Sequence, residues 1–202
     1  MAQTLRDRKK AERRVQLLNA AARLFAQQGF SNISIEELGA IAGVSGPAVY
    51  RHFPSKDAML AELMITGSRR TTEGGEAVVA GAKSDRAALK ALVTFHADIA
   101  IRDRDMFRIQ DREISRLSPS DALQVRTLQR AYIALWVDVL SRIQAELPSN
   151  IIRTKVQATF GLLNSTPHST SRGSNYEINK KLLVAMAMNA LLVKPAGLAI
   201  SS

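Results

Sequence analysis

Apolar residues along this chain recur at three- and four-residue spacing, and no stretch shows sustained alternation of apolar and polar positions or a paired-strand turn. That periodicity predicts an all-α fold of about nine helices. Val15, Leu18, Ala22 and Phe25 predict a first helix over about Asp7 to Gln28, closed by Gly29. Leu60, Leu63 and Met64 mark another that opens after Pro54, with Ser55 as its cap and Asp57 in its first turn. It reaches Gly67 or beyond. The stretch from Thr71 to Ser84 then turns rich in Thr, Gly and Ala and reads as either a fraying helix end or a linker. It is the best candidate for a domain boundary, because Gly74 and Gly75 together weaken a helix by about 2 kcal/mol relative to alanines.

Asp85 to Ile101 is the next predicted helix, with Leu89, Leu92, Phe95, His96 and Ile99 toward one side. Arg104 to Ser115 forms one or two short helices bearing Met106, Phe107, Ile109 and Ile114. Ser118, Pro119 and Asp121 are a strong start signal for a long helix. In it Leu128, Tyr132, Leu135, Trp136, Val139 and Ile143 keep the spacing through to Leu147, and Pro148 stops it. Ile151 to Asn164 carries a stripe of Ile152, Val156, Phe160 and Leu163. A polar loop from Ser165 to Asn175, containing His168, precedes a last helix over Tyr176 to Val193 and a loose tail after Pro195.

The stretch Ser34 to Phe53, SIEELGAIAGVSGPAVYRHF, organises the rest. Ser34 and Glu37 fit a capping box at the start of a helix running to about Ala42. Gly43 suits a C-cap of positive φ, Ser45 caps the next helix, and Pro47 is tolerated in its first turn. Two short helices about a tight turn are a helix-turn-helix, whose second member, here Gly46 to His52, enters the major groove of DNA.

Charge sharpens this picture. Lys and Arg number 28 against 18 Asp and Glu, a formal charge of +10 that favours a polyanionic partner. Arg6, Arg8, Lys9, Lys10, Arg13 and Arg14 crowd the start of the first helix against only Asp7 and Glu12, as a solvated helix start or a phosphate-contacting arm. The adjoining helix-turn-helix tips the balance toward the arm. With no cysteine there is no disulfide or thiolate chemistry. The charged N-terminus lacks a signal-peptide stretch, and the apolar run Leu182 to Val193 is too short to span a bilayer, so a cytoplasmic protein without a membrane partner is expected. The histidines His52, His96 and His168 show no metal-ligand spacing, and no phosphate loop or nucleophile elbow is present, so neither a metal, a cofactor nor a catalytic residue is expected. An enzyme using His96 with Glu113 remains only a formal alternative.

From Val15 to Leu63, the segments LFAQQGF, SIEELGAIAGVS and VYRHFPSKDAML agree in register with, and so resemble, the TetR family of bacterial regulators. The resemblance implies a DNA-binding head, a variable helical body that binds a small-molecule effector, and homodimerisation through the last two long helices. It assigns DNA contacts to Ser34, Ser45, Tyr50, His52 and Lys56, beside Arg6 and Arg13 of the arm. Tyr50 reads otherwise as a core aromatic and His52 as a helix C-cap. Gly46-Pro47-Ala48 departs from the Lys or Arg common in the family, which removes a bidentate guanine contact at residue 46. Gly46, Pro47 and Ala48 stay among the expected DNA contacts, Pro47 or Ala48 against a thymine methyl, with specificity leaning on DNA shape and on the basic arm.

The expected organisation is a DNA-binding domain over 1–56 and an effector and dimerisation domain over 57–202. Phe95, Ile99, Phe107, Ile109 and Trp136 are the expected pocket residues, though core packing would use the same composition. Ile152, Val156, Phe160, Leu163, Leu182 and Met186 are the expected dimer interface, on helices apolar over more of their circumference than a surface helix needs. The function these readings predict is a ligand-responsive homodimeric repressor that binds a palindromic operator and is released by a small apolar or acyl-type effector. A basic helical protein that binds DNA without sequence choice is the alternative.

Overall fold

The computed structural model describes residues 5–165 and 175–194, which form nine α-helices and two 3-10 turns with no strand. In chain order these are α1 (Leu5–Gln28), α2 (Ile35–Ile41), α3 (Gly46–Tyr50), α4 (Lys56–Ala80) and α5 (Asp85–Arg102). Then follow α6 (Arg104–Glu113), α7 (Pro119–Ile143), α8 (Ser149–Asn164) and α9 (Tyr176–Leu192). Most of the expected polar loop, His168 with it, and the expected tail lie outside the described residues. Among the described residues no helix is long and apolar enough to cross a membrane.

Packing separates two compact units, each discontinuous in sequence. The first runs to Arg70 and takes in Asp103–Gln129; the second holds Thr71–Arg102 and resumes at Arg130. The division therefore falls inside α4 and α7, not at residue 56.

In the first unit, Leu17, Leu24, Phe25, Leu38, Val49, Phe53, Met59, Leu60 and Met64 form one buried core. The buried face of α1 is Leu17, Ala21, Leu24 and Phe25, while Val15, expected inside, is 55% exposed. The cause lies in Arg14, whose guanidinium sits 4.2 Å from the Phe53 ring centre and so turns its neighbour Val15 outward. α6 packs on α1: Glu113 accepts from Phe30 N–H (3.3 Å) and pairs with Arg116 (2.6 Å), and Arg112 reaches the Ala26 carbonyl.

In the second unit, α9 packs on α5 and α8 around Leu89, Leu92, Trp136, Val139, Ile152, Val156, Leu163 and Leu191. α7 ends at Ile143, four residues earlier than its spacing predicts, and Pro148 becomes the N-cap of α8. Asp98 joins α5 to α9 through Lys180 (2.6 Å) and the Tyr176 hydroxyl. Burial alone would raise its carboxyl, but these hydrogen bonds hold it below its ordinary value.

The Thr71 to Ser84 stretch is helical as far as Ala80, so its glycines lie inside α4. Tertiary contact explains them. A Cβ on Gly74 would run into the Phe95 ring and one on Gly75 into the Tyr132 ring, so the missing side chains let α5 and α7 approach the backbone. Gly75→Ala should destabilise the protein by about 1–3 kcal/mol through overpacking. Alanine's helix propensity returns only about 1 kcal/mol. The urea midpoint should fall; an unchanged or higher midpoint would mean that Tyr132 moves aside freely.

Candidate functional site

The helix-turn-helix is assembled by local chemistry. Glu37 N–H donates to Ser34 Oγ (3.1 Å) and Ser34 N–H to Glu37 Oε2 (2.7 Å), the complete capping box expected at the start of α2. The Ser34 hydrogen bonds hold the Glu37 carboxyl below its ordinary pKa. At the turn, Gly43 has a φ of 68°, and a Cβ on Gly39 would lie 2.7 Å from the Val44 carbonyl oxygen. Val44 N–H closes the turn on the Gly39 carbonyl (2.8 Å). Ser45 occupies the N-cap of α3, but its hydroxyl makes no capping bond, and the backbone carbonyl alone receives Ala48 and Val49.

α3 divides its side chains cleanly. Val49 and Phe53 are buried, whereas Ser45, Pro47 and Arg51 are exposed, Ala48 is half-buried and Tyr50 is 52% exposed, so Tyr50 is no core aromatic. Gly46 is the exception among the expected contacts: it is buried, and a Cβ there would meet the Glu36 side chain at 3.4 Å.

The cations fall into two groups. Arg14 Nε donates to Glu62 (2.7 Å), a second Arg14 nitrogen completes that pair, and a third reaches the His52 carbonyl. Lys56 Nζ donates to the Phe30 and Ile33 carbonyls (2.7 and 2.8 Å) and lies 4.3 Å from the Phe30 ring centre. These two are engaged inside the fold. Arg6 and Arg13 are exposed, with Arg13 reaching the Ala42 carbonyl at 3.3 Å. Burial, and then the charges of Lys10, Arg14, Arg13 and Arg51, push the His52 imidazole below its ordinary pKa. The arm and the end of α3 thus form one cationic neighbourhood. Lys10 belongs to the basic arm read from the sequence, whereas Arg51 was left out of that reading although it directly follows Tyr50.

The expected pocket residues divide between the two units. Phe107 and Ile109 belong to the first unit and Phe95, Ile99 and Trp136 to the second. Ile109 is 1% exposed among the core residues around Leu17 and Phe25. Trp136 instead joins a buried ring cluster with His96, Tyr132 and Phe160. The expected dimer face also needs correction. Ile152, Val156 and Leu163 are fully buried inside the second unit and Phe160 is half-buried in the ring cluster, because these positions pack against α5, α7 and α9 of their own chain. Leu182 and Met186 are exposed, as is Ile178.

His96 bonds Asn164 (2.8 Å), and Glu113 bonds Arg116 and Phe30 N–H. Among the described residues no group of three His, Asp or Glu is placed to hold a metal ion.

An all-α chain whose cationic first helix leads into a helix-turn-helix defines the class of DNA-binding regulators. The model of bacterial regulatory proteins of the tetR family matches residues 17–63, and that of the tetracyclin repressor-like C-terminal domain matches residues 82–168. The chain belongs to the TetR family of transcriptional regulators. It is similar to the HTH-type transcriptional repressor KstR2 of Rhodococcus jostii (strain RHA1), 28% identical over 138 residues. That match covers 65% of this chain and 65% of KstR2, a little under two thirds of that relative's length. A TetR-family transcriptional regulator from Bordetella parapertussis 12822 shares the fold at a TM-score of 0.80 and 22% identity, over 94% of this chain and 98% of its own. So does AibR, solved in complex with isovaleryl coenzyme A and operator DNA, at a TM-score of 0.75 and 16% identity, over 86% and 97%.

Two outcomes follow from these side chains. Lys56→Ala removes two hydrogen bonds from a charged group and should lower stability by about 1–3 kcal/mol, read as a reduced melting temperature without DNA. An unchanged melting temperature would return Lys56 to a purely external role. Burial pushes His96 down to about 4, against the opposing bond to Asn164. Unfolded histidine takes its proton near 6.5. The folded pKa is depressed, so the stability it contributes is full above about 6.5 and is lost as pH falls toward about 4, on the order of 3 kcal/mol in all. His52 has the same sign. Urea midpoints across that window should fall less steeply for His96→Gln than for the native chain.

Proposed function

We propose that this protein is a homodimeric, ligand-responsive transcriptional repressor of the cytoplasm that binds a palindromic DNA operator and is released by a small apolar or acyl-type effector. In this reading residues 1–56 bind DNA, and residues 57–202 take the effector and form the dimer. The observation that carries it is the exposed face of Ser45, Pro47, Tyr50 and Arg51 at α3 together with the exposed basic start of α1, whose Arg13 reaches the Ala42 carbonyl at the end of α2. Cations so placed suit phosphates flanking the groove that α3 would enter. Arg6 extends the grip along α1, and Ser34, Ala48 and Lys56 contribute at the edges.

Dimerisation is supported by Ile178, Leu182 and Met186, which recur every fourth residue on one face of α9 and stay exposed in the single chain. The repressor reading draws on KstR2, and the effector reading on AibR, which was solved with both an acyl-coenzyme A and operator DNA.

The decisive experiment selects fragments of the host genome on the purified protein at moderate salt. A palindromic site with half-sites about 34–36 Å apart should be enriched. Leu182→Glu should yield monomers by light scattering and lose the palindrome while keeping weak binding. Equal affinity for selected and scrambled duplexes would favour DNA binding without sequence choice, and a reporter activated by the protein would reverse the assigned direction of control.

A further inference from the structure

The second unit keeps the Tyr132 hydroxyl and the Trp136 indole N–H inside a cluster of buried rings that also holds the His96 imidazole. Tyr132 and Trp136 stand one turn apart on α7, 4% and 0% exposed. Their ring centres are 6.1 Å apart. Around them lie His96, 5.8 Å from Tyr132 and 6.0 Å from Trp136, and Phe160, 4.8 Å from both His96 and Trp136. Among the described residues, neither the buried Tyr132 hydroxyl nor the buried Trp136 indole N–H has a hydrogen-bond partner. Burial raises the Tyr132 pKa, and the nearby Trp136 N–H partly offsets that rise while standing outside hydrogen-bond geometry.

Such groups are costly: an unsatisfied buried donor forfeits about 1–3 kcal/mol. Phenylalanine at residue 132 would keep the ring packing without that loss. Two orphaned donors on one face of one helix therefore point to an acceptor that arrives from outside the chain. The rings set its chemistry. None carries a charge, and burial keeps His96 neutral while its Nε2 is engaged by Asn164. A carboxylate or phosphate placed among them would be desolvated without a counter-ion. A carbonyl oxygen instead offers two lone pairs and no charge, matching two donors.

We propose that the Tyr132 hydroxyl and the Trp136 indole N–H hold the neutral carbonyl oxygen of an otherwise apolar ligand, of the ketone, ester or thioester class. This rests on reading the second unit as the effector-binding part of a regulator. It narrows that reading from any apolar molecule to one with an uncharged acceptor amid its apolar surface.

Trp136 is the only tryptophan of the chain, so one indole cross-peak in the nitrogen-proton spectrum of the labelled full-length protein belongs to it. The probes are cyclohexanone and 2-octanone, each paired with the isostere in which C=CH2 replaces C=O. At least one ketone should move the indole proton downfield and saturably, and its isostere should not. Tyr132→Phe should weaken ketone binding roughly threefold to tenfold while leaving isostere binding unchanged. The proposal is overturned if neither ketone gives a saturable shift, or if the isosteres displace the peak equally. It is also overturned if Tyr132→Phe, checked as folded by its spectrum, keeps the full ketone preference, as it would if an internal water satisfied both donors. No DNA enters the titration, so failure to find an operator leaves its result standing. Ketone binding that fails to release a selected operator would instead remove the effector role and keep the site.

Discussion

The guanidinium of Arg14 is the tie on which the helix-turn-helix depends. In one plane it holds the Glu62 carboxylate of α4 and the His52 carbonyl beyond α3, and its face lies on the buried ring of Phe53. Lysine offers no such fork, because bidentate pairing and stacking both need a planar cation. The pair with Glu62 is partly exposed, at 38% and 30%, so its Coulombic share is about 1 kcal/mol or less. Its larger contribution is geometric. A carbonyl past the last turn of a helix has no intrahelical partner, and Arg14 supplies one from a helix thirty-odd residues earlier. Lys56 does the companion task at the other end, binding the carbonyl of Phe30, which opens the 3-10 turn preceding α2, and that of Ile33, which follows it.

This division of the cations explains what could and could not be read from the chain. The capping box of Ser34 and Glu37, the positive φ at Gly43 and the start signal at Ser118 act over three or four residues, and each was legible as written. Arg14 was not, because in sequence it is one more member of a basic run. Its distinction lies in Phe53 and Glu62, both far along the chain. Val15 was misassigned for the same reason: Val15-Leu18-Ala22-Phe25 and Leu17-Ala21-Leu24 are both acceptable helical stripes, and the tertiary partner of Arg14 decides between them. Gly74 and Gly75 looked like a break because helix propensity is a local quantity, while the rings that need their missing side chains belong to α5 and α7.

The second unit shows the limit more sharply. A stripe of Ile152, Val156, Phe160 and Leu163 satisfies the pattern for a dimer face, a pocket wall or a core, since all three bury apolar surface at helical spacing. Packing against the chain's own helices consumed Ile152, Val156 and Leu163, and left Ile178, Leu182 and Met186 outside. Polar atoms discriminate better than apolar ones. A leucine is content in any of the three settings, whereas the orphaned donors of Tyr132 and Trp136 require either a partner or a free-energy cost, so they carry information that the apolar stripe does not.

The same reasoning applies to α3. Its outward groups are one hydroxyl at Ser45, the apolar ring of Pro47, the phenol of Tyr50 and the guanidinium of Arg51, while residue 46, where a long cation would reach a guanine, is a glycine packed on Glu36. A bidentate base contact contributes about 1–3 kcal/mol of discrimination, and a methyl contact to thymine less. Under the proposed operator-binding role, the cations around His52 then supply most of the affinity, and they do so for any duplex. Selectivity must come from what a single α3 does not control: the fixed separation of two copies along the duplex and the ease with which the intervening DNA adopts it. A recognition helix this poor in polar readers makes the exposed stripe on α9 as much a determinant of sequence choice as α3 itself.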